Sequence, residues 1–123
     1  MASERPTVLV VEDDDSLRLL CRVNLELEGY CVLEADRIAK ARELINSEQI
    51  DLILLDVHVG GGDGYDLIEP AREQKGIPIA LVTGTAKVGP EERKRVDAVL
   101  AKPFTIEDLM ATVRGLARSQ AAH

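Results

Sequence analysis

Aromatic side chains are scarce in this chain: 123 residues contain no tryptophan, two tyrosines and one phenylalanine. Its interior must therefore be built from Val, Leu, Ile and Ala. Cysteine is nearly absent too. Cys21 and Cys31 are too few for a disulfide framework, and both read as small, reduced core residues, one in a helix and one in a strand. Basic residues are outnumbered, 15 against 22 acidic, for a formal net charge of −7. Such a balance repels nucleic-acid backbones, so direct nucleic-acid binding is not expected. No apolar run approaches the length of a membrane span; the longest early one, Val8 to Val11, is strand-sized. The segment MASERPTVLVVEDD lacks the charged region and apolar core of a signal peptide. No membrane contact is expected, and the cytoplasm is the expected compartment.

What is present is a foldable α/β pattern. The hydrophobic fraction of 46% excludes general disorder. The length suits a single domain over 1–123, with a core from about 6 to 117 and a frayed tail at 118–123. Strands are predicted at 7–11, 31–34, 52–55, 79–82 and 98–101. A first helix is predicted at 16–28, with Asp15 or Ser16 as N-cap, Gly29 as stop, and Leu17, Leu20, Cys21, Val23 and Leu27 on a broad apolar face. A second is predicted at 38–47, capped by Asp36. A third starts near Tyr65 and is disturbed by Pro70. A short fourth opens at Gly89-Pro90, and a fifth spans 105–116, capped by Thr105. Five βα units with right-handed crossovers make a five-stranded parallel sheet with helices on both faces, a doubly wound α/β fold.

In such sheets ligands bind at the carboxyl ends of the strands. Those ends carry Glu12-Asp13-Asp14-Asp15 after strand 1, Asp56 after strand 3, Thr83-Gly84 after strand 4 and Lys102-Pro103 after strand 5. A lone Asp after a strand is usually a cap or turn residue, and Asp14 and Asp15 read that way. The full set does not reduce to caps. Clustered carboxylates on one rim repel one another unless a hard cation such as Mg²⁺ joins them. Lys102 brings a positive charge that pairs with Asp56 at rest and with a phosphoryl oxygen afterwards, and the Thr83 hydroxyl suits another oxygen. A carboxylate nucleophile beside a metal and a lysine is an arrangement for covalent phosphoryl transfer.

These residues resemble the receiver domain of two-component response regulators over roughly 6–117. VLVVEDDDSLR is similar to the family's first strand and acidic pocket, LILLDVHVGGGDGYDL to its third strand and following loop, with Asp63-Gly64 at the start of helix 3, LVTG to the switch-hydroxyl segment, and LAKPF to the lysine segment. The resemblance implies a flavodoxin-like (βα)5 fold. It implies Asp56 as phosphoacceptor, with Glu12, Asp13, Asp56 and the backbone carbonyl of His58 around Mg²⁺. Thr83 and Lys102 then act on the phosphoryl group, and Pro103 follows a cis bond. It also implies a histidine kinase or a histidine phosphotransfer protein as donor, an output partner that the sequence does not name, and at most a weak homodimer. A receiver is a signalling domain rather than an enzyme, with only self-catalysed phosphotransfer and slow autodephosphorylation.

Three features depart from the family pattern. Gly60, in Gly60-Gly61-Gly62, stands where a proline is usual. Val99 stands where an aromatic usually precedes the strand-5 lysine, so ring rotation there cannot be the switch, and motion is expected in the backbone of 84–90 instead. The stretch from Thr83 to Lys102 is short, so the fourth helix should be about two turns or less, which puts the usual helix 4–strand 5–helix 5 dimer face in question. His58 and Thr85 occupy positions that tune acyl-phosphate hydrolysis in the family. Two rival readings accompany this one. A Mg²⁺-dependent phosphohydrolase would need a second Asp where His58 stands. A degenerate receiver acting only as an interaction module would not need the intact set Glu12, Asp13, Asp56, Thr83 and Lys102.

Overall fold

In a computed structural model of the chain, residues 5–60, 62–84 and 88–121 are described, with side chains to 117. Five strands alternate with helical segments: β1 (Thr7–Val11), α1 (Asp15–Leu27), β2 (Cys31–Ala35), α2 (Ile38–Ser47), β3 (Leu52–Asp56), a two-part segment α3 (Gly64–Leu67 and Glu69–Glu73), β4 (Ile79–Thr83), α4 (Pro90–Lys94), β5 (Ala98–Ala101) and α5 (Ile106–Ala121). All pairings are parallel, in the order β2-β1-β3-β4-β5.

The apolar runs explain the layering. Every residue of β3 and of β4 is buried, as parallel strands covered on both faces require. Side chains alternate between two cores. Leu9, Val11, Ile53, Leu55, Ile79 and Leu81 face the layer of α2 and α3. Val8, Val10, Leu52, Leu54, Ala80 and Val82 face that of α1 and α5, against Leu25, Leu109 and Val113. The chain steps from β1 out to β2 and returns to β3. The carboxyl ends of β1 and β3 therefore flank the point where the winding reverses, which is the place for a ligand.

Several local expectations change. Asp14, not Asp15 or Ser16, caps α1; its carboxylate accepts the amides of Ser16 at 2.9 Å and Leu17 at 3.1 Å. The apolar face predicted for α1 is only partly inward. Cys21 and Leu25 are buried, while Leu19, Leu20, Val23 and Leu27 are 53, 43, 44 and 79% exposed. Asp36 does not cap α2. The N-cap position is Arg37, without a side-chain cap, and the amide of Ile38 donates instead to the carbonyl of Gly60 at 3.3 Å.

The third helix is not a regular α-helix. A 3₁₀ turn, capped by Asp63, leads into a π-helical stretch that contains Pro70; the missing proline N–H removes one rung and the coil widens around it. The fourth helix, Pro90–Lys94, is as short as predicted. The fifth is longer. Thr105 Oγ1 accepts the Asp108 amide at 3.0 Å, and the helix runs past Leu116 to Ala121. Cys21 is buried, and burial together with the charge of Glu12 pushes its thiol up to about 11. Cys31 is only half-buried at the start of edge strand β2, so it is no core residue.

Candidate functional site

The rim at the carboxyl ends collects what the strand ends predict. Among the described residues the buried polar or charged side chains are Glu12, Asp56 and Thr83, at 4, 5 and 2% exposure. A strand that is apolar for four residues and then polar carries its last side chain into the rim while the core holds the rest, which is how LILLD places Asp56. Glu12, Asp13 and Asp56 each offer a carboxylate oxygen within 4.8 Å of the others. Asp13 is the exposed member.

Lys102 ties the set together. Its Nζ lies 3.1 Å from Glu12 Oε1 and 3.3 Å from Asp56 Oδ2. Its amide donates to the carbonyl of Thr83 at 2.8 Å, so the ends of β4 and β5 are fastened side by side. The Lys102–Pro103 peptide is cis, as the resemblance implies. The amide of His58 donates to Asp56 Oδ1 at 3.1 Å, which orients the carboxylate, while the His58 side chain is exposed. Val99 is half-buried against the core. Thr85 lies outside the described residues.

Burial raises the Glu12 pKa; Lys102 and the Asp14 amide oppose this, and the charge of Asp56 adds to it. For Lys102, burial acts to lower the pKa, but the carboxylates of Glu12 and Asp56 outweigh it and the net direction is upward. The lysine is therefore a fixed cation at neutral pH. An all-oxygen donor set, two-thirds buried and already bridged by an ammonium, fits a hard divalent ion.

Sequence reasoning missed several supports of this site. Arg18 Nη1 donates to the carbonyl of Glu12 at 2.9 Å, and its Nε reaches Glu34 at 3.2 Å. The amide of Asp14 donates to Glu12 Oε2 at 3.2 Å. Gly64 has no room for a side chain, because a Cβ there would stand 2.5 Å from the carbonyl oxygen of Asp56. The Asp63-Gly64 pair was the available signal for the last. Arg18 sits one turn beyond the cap, but its reach to β2 is a tertiary fact.

The response regulator receiver domain family matches residues 8–114. The chain belongs to that family. Among curated relatives of this receiver, the transcriptional regulatory protein ResD of Bacillus subtilis is 35% identical over 122 residues, covering 90% of this chain and 48% of that protein. The phosphate regulon regulatory protein PhoB of Pseudomonas aeruginosa is 33% identical over 119 residues, covering 91% and 52%. The receiver thus spans about half the length of the curated relatives it matches. Among solved structures, the CheY-like receiver domain protein of Methanospirillum hungatei has a TM-score of 0.87 at 26% identity, over 97% of this chain and 98% of that one. The response regulator TrrA of Thermotoga maritima, solved in complex with Mg²⁺ and BeF, has a TM-score of 0.83 at 26% identity, over 90% and 98%. The receiver is a signalling domain of two-component systems, and its acidic pocket is of the kind in which receivers hold Mg²⁺. Among the described residues no helix is long and apolar enough to cross a membrane.

Proposed function

We propose that this receiver is a phosphorylation switch whose phosphoacceptor is Asp56, and that the Lys102 bridge between Glu12 and Asp56 is the observation that carries the assignment. A carboxylate oxygen of Asp56 attacks the phosphorus of a phosphohistidine. The P–N bond breaks, the imidazole nitrogen keeps the electron pair, and an acyl phosphate forms. Glu12, Asp13, Asp56 and the His58 carbonyl would hold Mg²⁺, which supplies charge neutralisation on the transferring oxygens. Lys102 exchanges its carboxylate partner for a phosphoryl oxygen, and Thr83, at the end of β4, donates its hydroxyl to another. Hydrolysis is slow and unassisted by a second Asp, with His58 and Thr85 as its modulators. The exposed histidine in place of an acid/base carboxylate is what disfavours a phosphohydrolase.

The donor is a histidine kinase or a histidine phosphotransfer protein in the cytoplasm. Among the described residues the large exposed apolar side chains all lie on α1: Leu19, Leu20, Val23 and Leu27. At 100° per residue they fall on one face of the helix, within an arc of about 100°. Leu20 and Leu17 also line an open groove of about 650 Å³ with Pro103, Phe104 and Lys102, beside the rim. An apolar patch at the mouth of a charged site suits a helical partner that must bring its histidine to Asp56.

The test is incubation with acetyl phosphate and Mg²⁺, followed by intact-mass measurement of wild type and Asp56→Asn. Wild type is expected to gain one acid-labile phosphoryl mass and Asp56→Asn none. Equal gain in both removes the assignment.

A further inference from the structure

A cluster of charges on α1 and β2 stands beside the acidic rim. Glu34 lies in the edge strand β2, on the same face as Val32, which packs in the layer of α1 and α5. One of its carboxylate oxygens accepts from Arg18 Nε at 3.2 Å and the other from Arg22 Nη1 at 2.9 Å. The two arginines differ in what else they reach. Arg22 continues along the helix to Glu26 at 3.6 Å, with its side chain 44% exposed. The Arg18 side chain is 17% exposed. Each of its guanidinium nitrogens has an acceptor: Nε the Glu34 carboxylate, Nη1 the Glu12 carbonyl at 2.9 Å, and Nη2 Asp15 Oδ1 at 2.7 Å.

Those acceptors stand on three segments: β2, the residue after β1, and the first turn of α1. The guanidinium therefore pins the turn from β1 into α1 to the edge of the sheet. The Glu12 amide donates to the Ala35 carbonyl at 3.0 Å, so with Arg18 on its carbonyl both main-chain polar groups of Glu12 are held. That carbonyl belongs to the planar peptide joining Glu12 to Asp13, and its orientation sets where the exposed Asp13 side chain departs.

We propose that Arg18, clamped by Glu34, is a positioning residue for the metal site: it fixes the Glu12–Asp13 peptide so that both carboxylates are placed before a divalent cation arrives. This rests on the Mg²⁺ site of the proposed function. The role needs a planar fork with several diverging donors, which an ammonium lacks, so lysine does not substitute. Its sign also separates it from plain electrostatics. Deleting a cation beside carboxylates strengthens their attraction for Mg²⁺, whereas loss of positioning weakens binding.

The probe is Mn²⁺, a hard divalent ion that takes the same oxygen donors as Mg²⁺. Counting free Mn²⁺ by electron paramagnetic resonance gives an affinity on the full chain without any phosphoryl chemistry. Arg18→Lys and Arg18→Met are each expected to weaken binding by about tenfold. Arg22→Lys, which also loses a bond to Glu34 but none to Glu12, should stay within about twofold of wild type, as an exposed pair should. With acetyl phosphate, the Mg²⁺ concentration for half-maximal labelling should rise in Arg18→Lys while the plateau rate stays at the wild-type value. Wild-type Mn²⁺ affinity in Arg18→Lys, tighter binding in Arg18→Met, or an equal loss in Arg22→Lys overturns the proposal and leaves the metal site standing. If the Arg18 variants do not fold, Glu34→Ala decides, because it keeps Arg18 and removes its clamp: weakened binding supports the proposal and unchanged binding overturns it. Absence of Mn²⁺ binding in wild type removes the metal site itself, and this inference with it.

Discussion

The ammonium of Lys102 lies closer to Glu12 than to the proposed phosphoacceptor, 3.1 Å against 3.3 Å. Before any ion arrives, one lysine thus bridges two carboxylates that would otherwise repel each other across a buried rim. Removing it by Lys102→Met leaves both without that partner. Breaking a buried pair costs about 3–5 kcal/mol, and the partial exposure of Lys102 screens the loss to about 1–2 kcal/mol. Urea midpoints without metal should fall by that amount, and added Mg²⁺ should recover much of it. A midpoint equal to wild type without metal contradicts the bridging role.

Glu12 gives the receiver a pH dependence of definite sign. Its folded pKa is raised, chiefly by burial. The folded state therefore binds a proton more tightly than the unfolded state. The associated stability is full below the ordinary glutamate pKa of about 4.3 and is lost as pH rises through the higher folded value. The raised pKa of Lys102 acts in the same sense only above about 10.4, so it does not blur this window. Without metal, Glu12→Gln should flatten the decline between about pH 4.3 and neutrality and exceed wild type in stability at pH 7.5. A slope unchanged by the substitution counts against the assignment.

Two glycines of the loop after β3 differ in a way that melting temperatures can read. A Cβ on Gly64 meets the backbone of Asp56 and Val57, which cannot yield as a side chain would. Gly64→Ala should cost about 1–3 kcal/mol as an overpacked site. At Gly60 the nearest atoms to a Cβ, Asp13 Oδ2 and the Asp36 carbonyl, stand at 3.7 Å, which is ordinary contact. Gly60→Ala should change stability by no more than about 0.5 kcal/mol. The reverse ranking would mean that this loop packs differently.

The α1 stripe separates two kinds of phosphorylation. Leu20→Arg with Val23→Glu changes a surface that acetyl phosphate has no need to touch. Labelling by acetyl phosphate should stay within about twofold of wild type, while transfer from a histidine-phosphorylated donor protein should slow by at least tenfold, equivalent to about 1.4 kcal/mol. Equal slowing of both reactions would place the defect in the site and not at the docking surface.

The strand ends were legible because β3 and β4 are short, apolar on both faces and followed at once by polar residues. That signal places Asp56 and Thr83 without knowledge of the fold's interior. Glu12, Asp13 and Lys102 follow from the parallel arrangement alone. What escaped depends on contacts distant in sequence. No local rule tells that Gly60 caps α2 better than Asp36 does, because the carbonyl comes from the loop after β3. Pro70 announced a disturbance, but a kink, a late start and a π-helical widening leave the same mark on a sequence. The leucines of α1 were misplaced for a simpler reason: helical periodicity marks a face as apolar and says nothing of whether this domain covers it.

The contrast between the two cysteines has a practical consequence. A thiol with a pKa near 11 is ionised to about one part in ten thousand at pH 7, so Cys21 is both shielded and chemically quiet. Cys31 pairs with Thr7 at the amino ends of β2 and β1, at the opposite pole from the acidic rim. A maleimide dye at neutral pH should therefore settle on one position and leave the phosphoacceptor pocket untouched. The native chain supplies its own attachment point for watching a donor protein arrive and depart, with no cysteine engineered in or out.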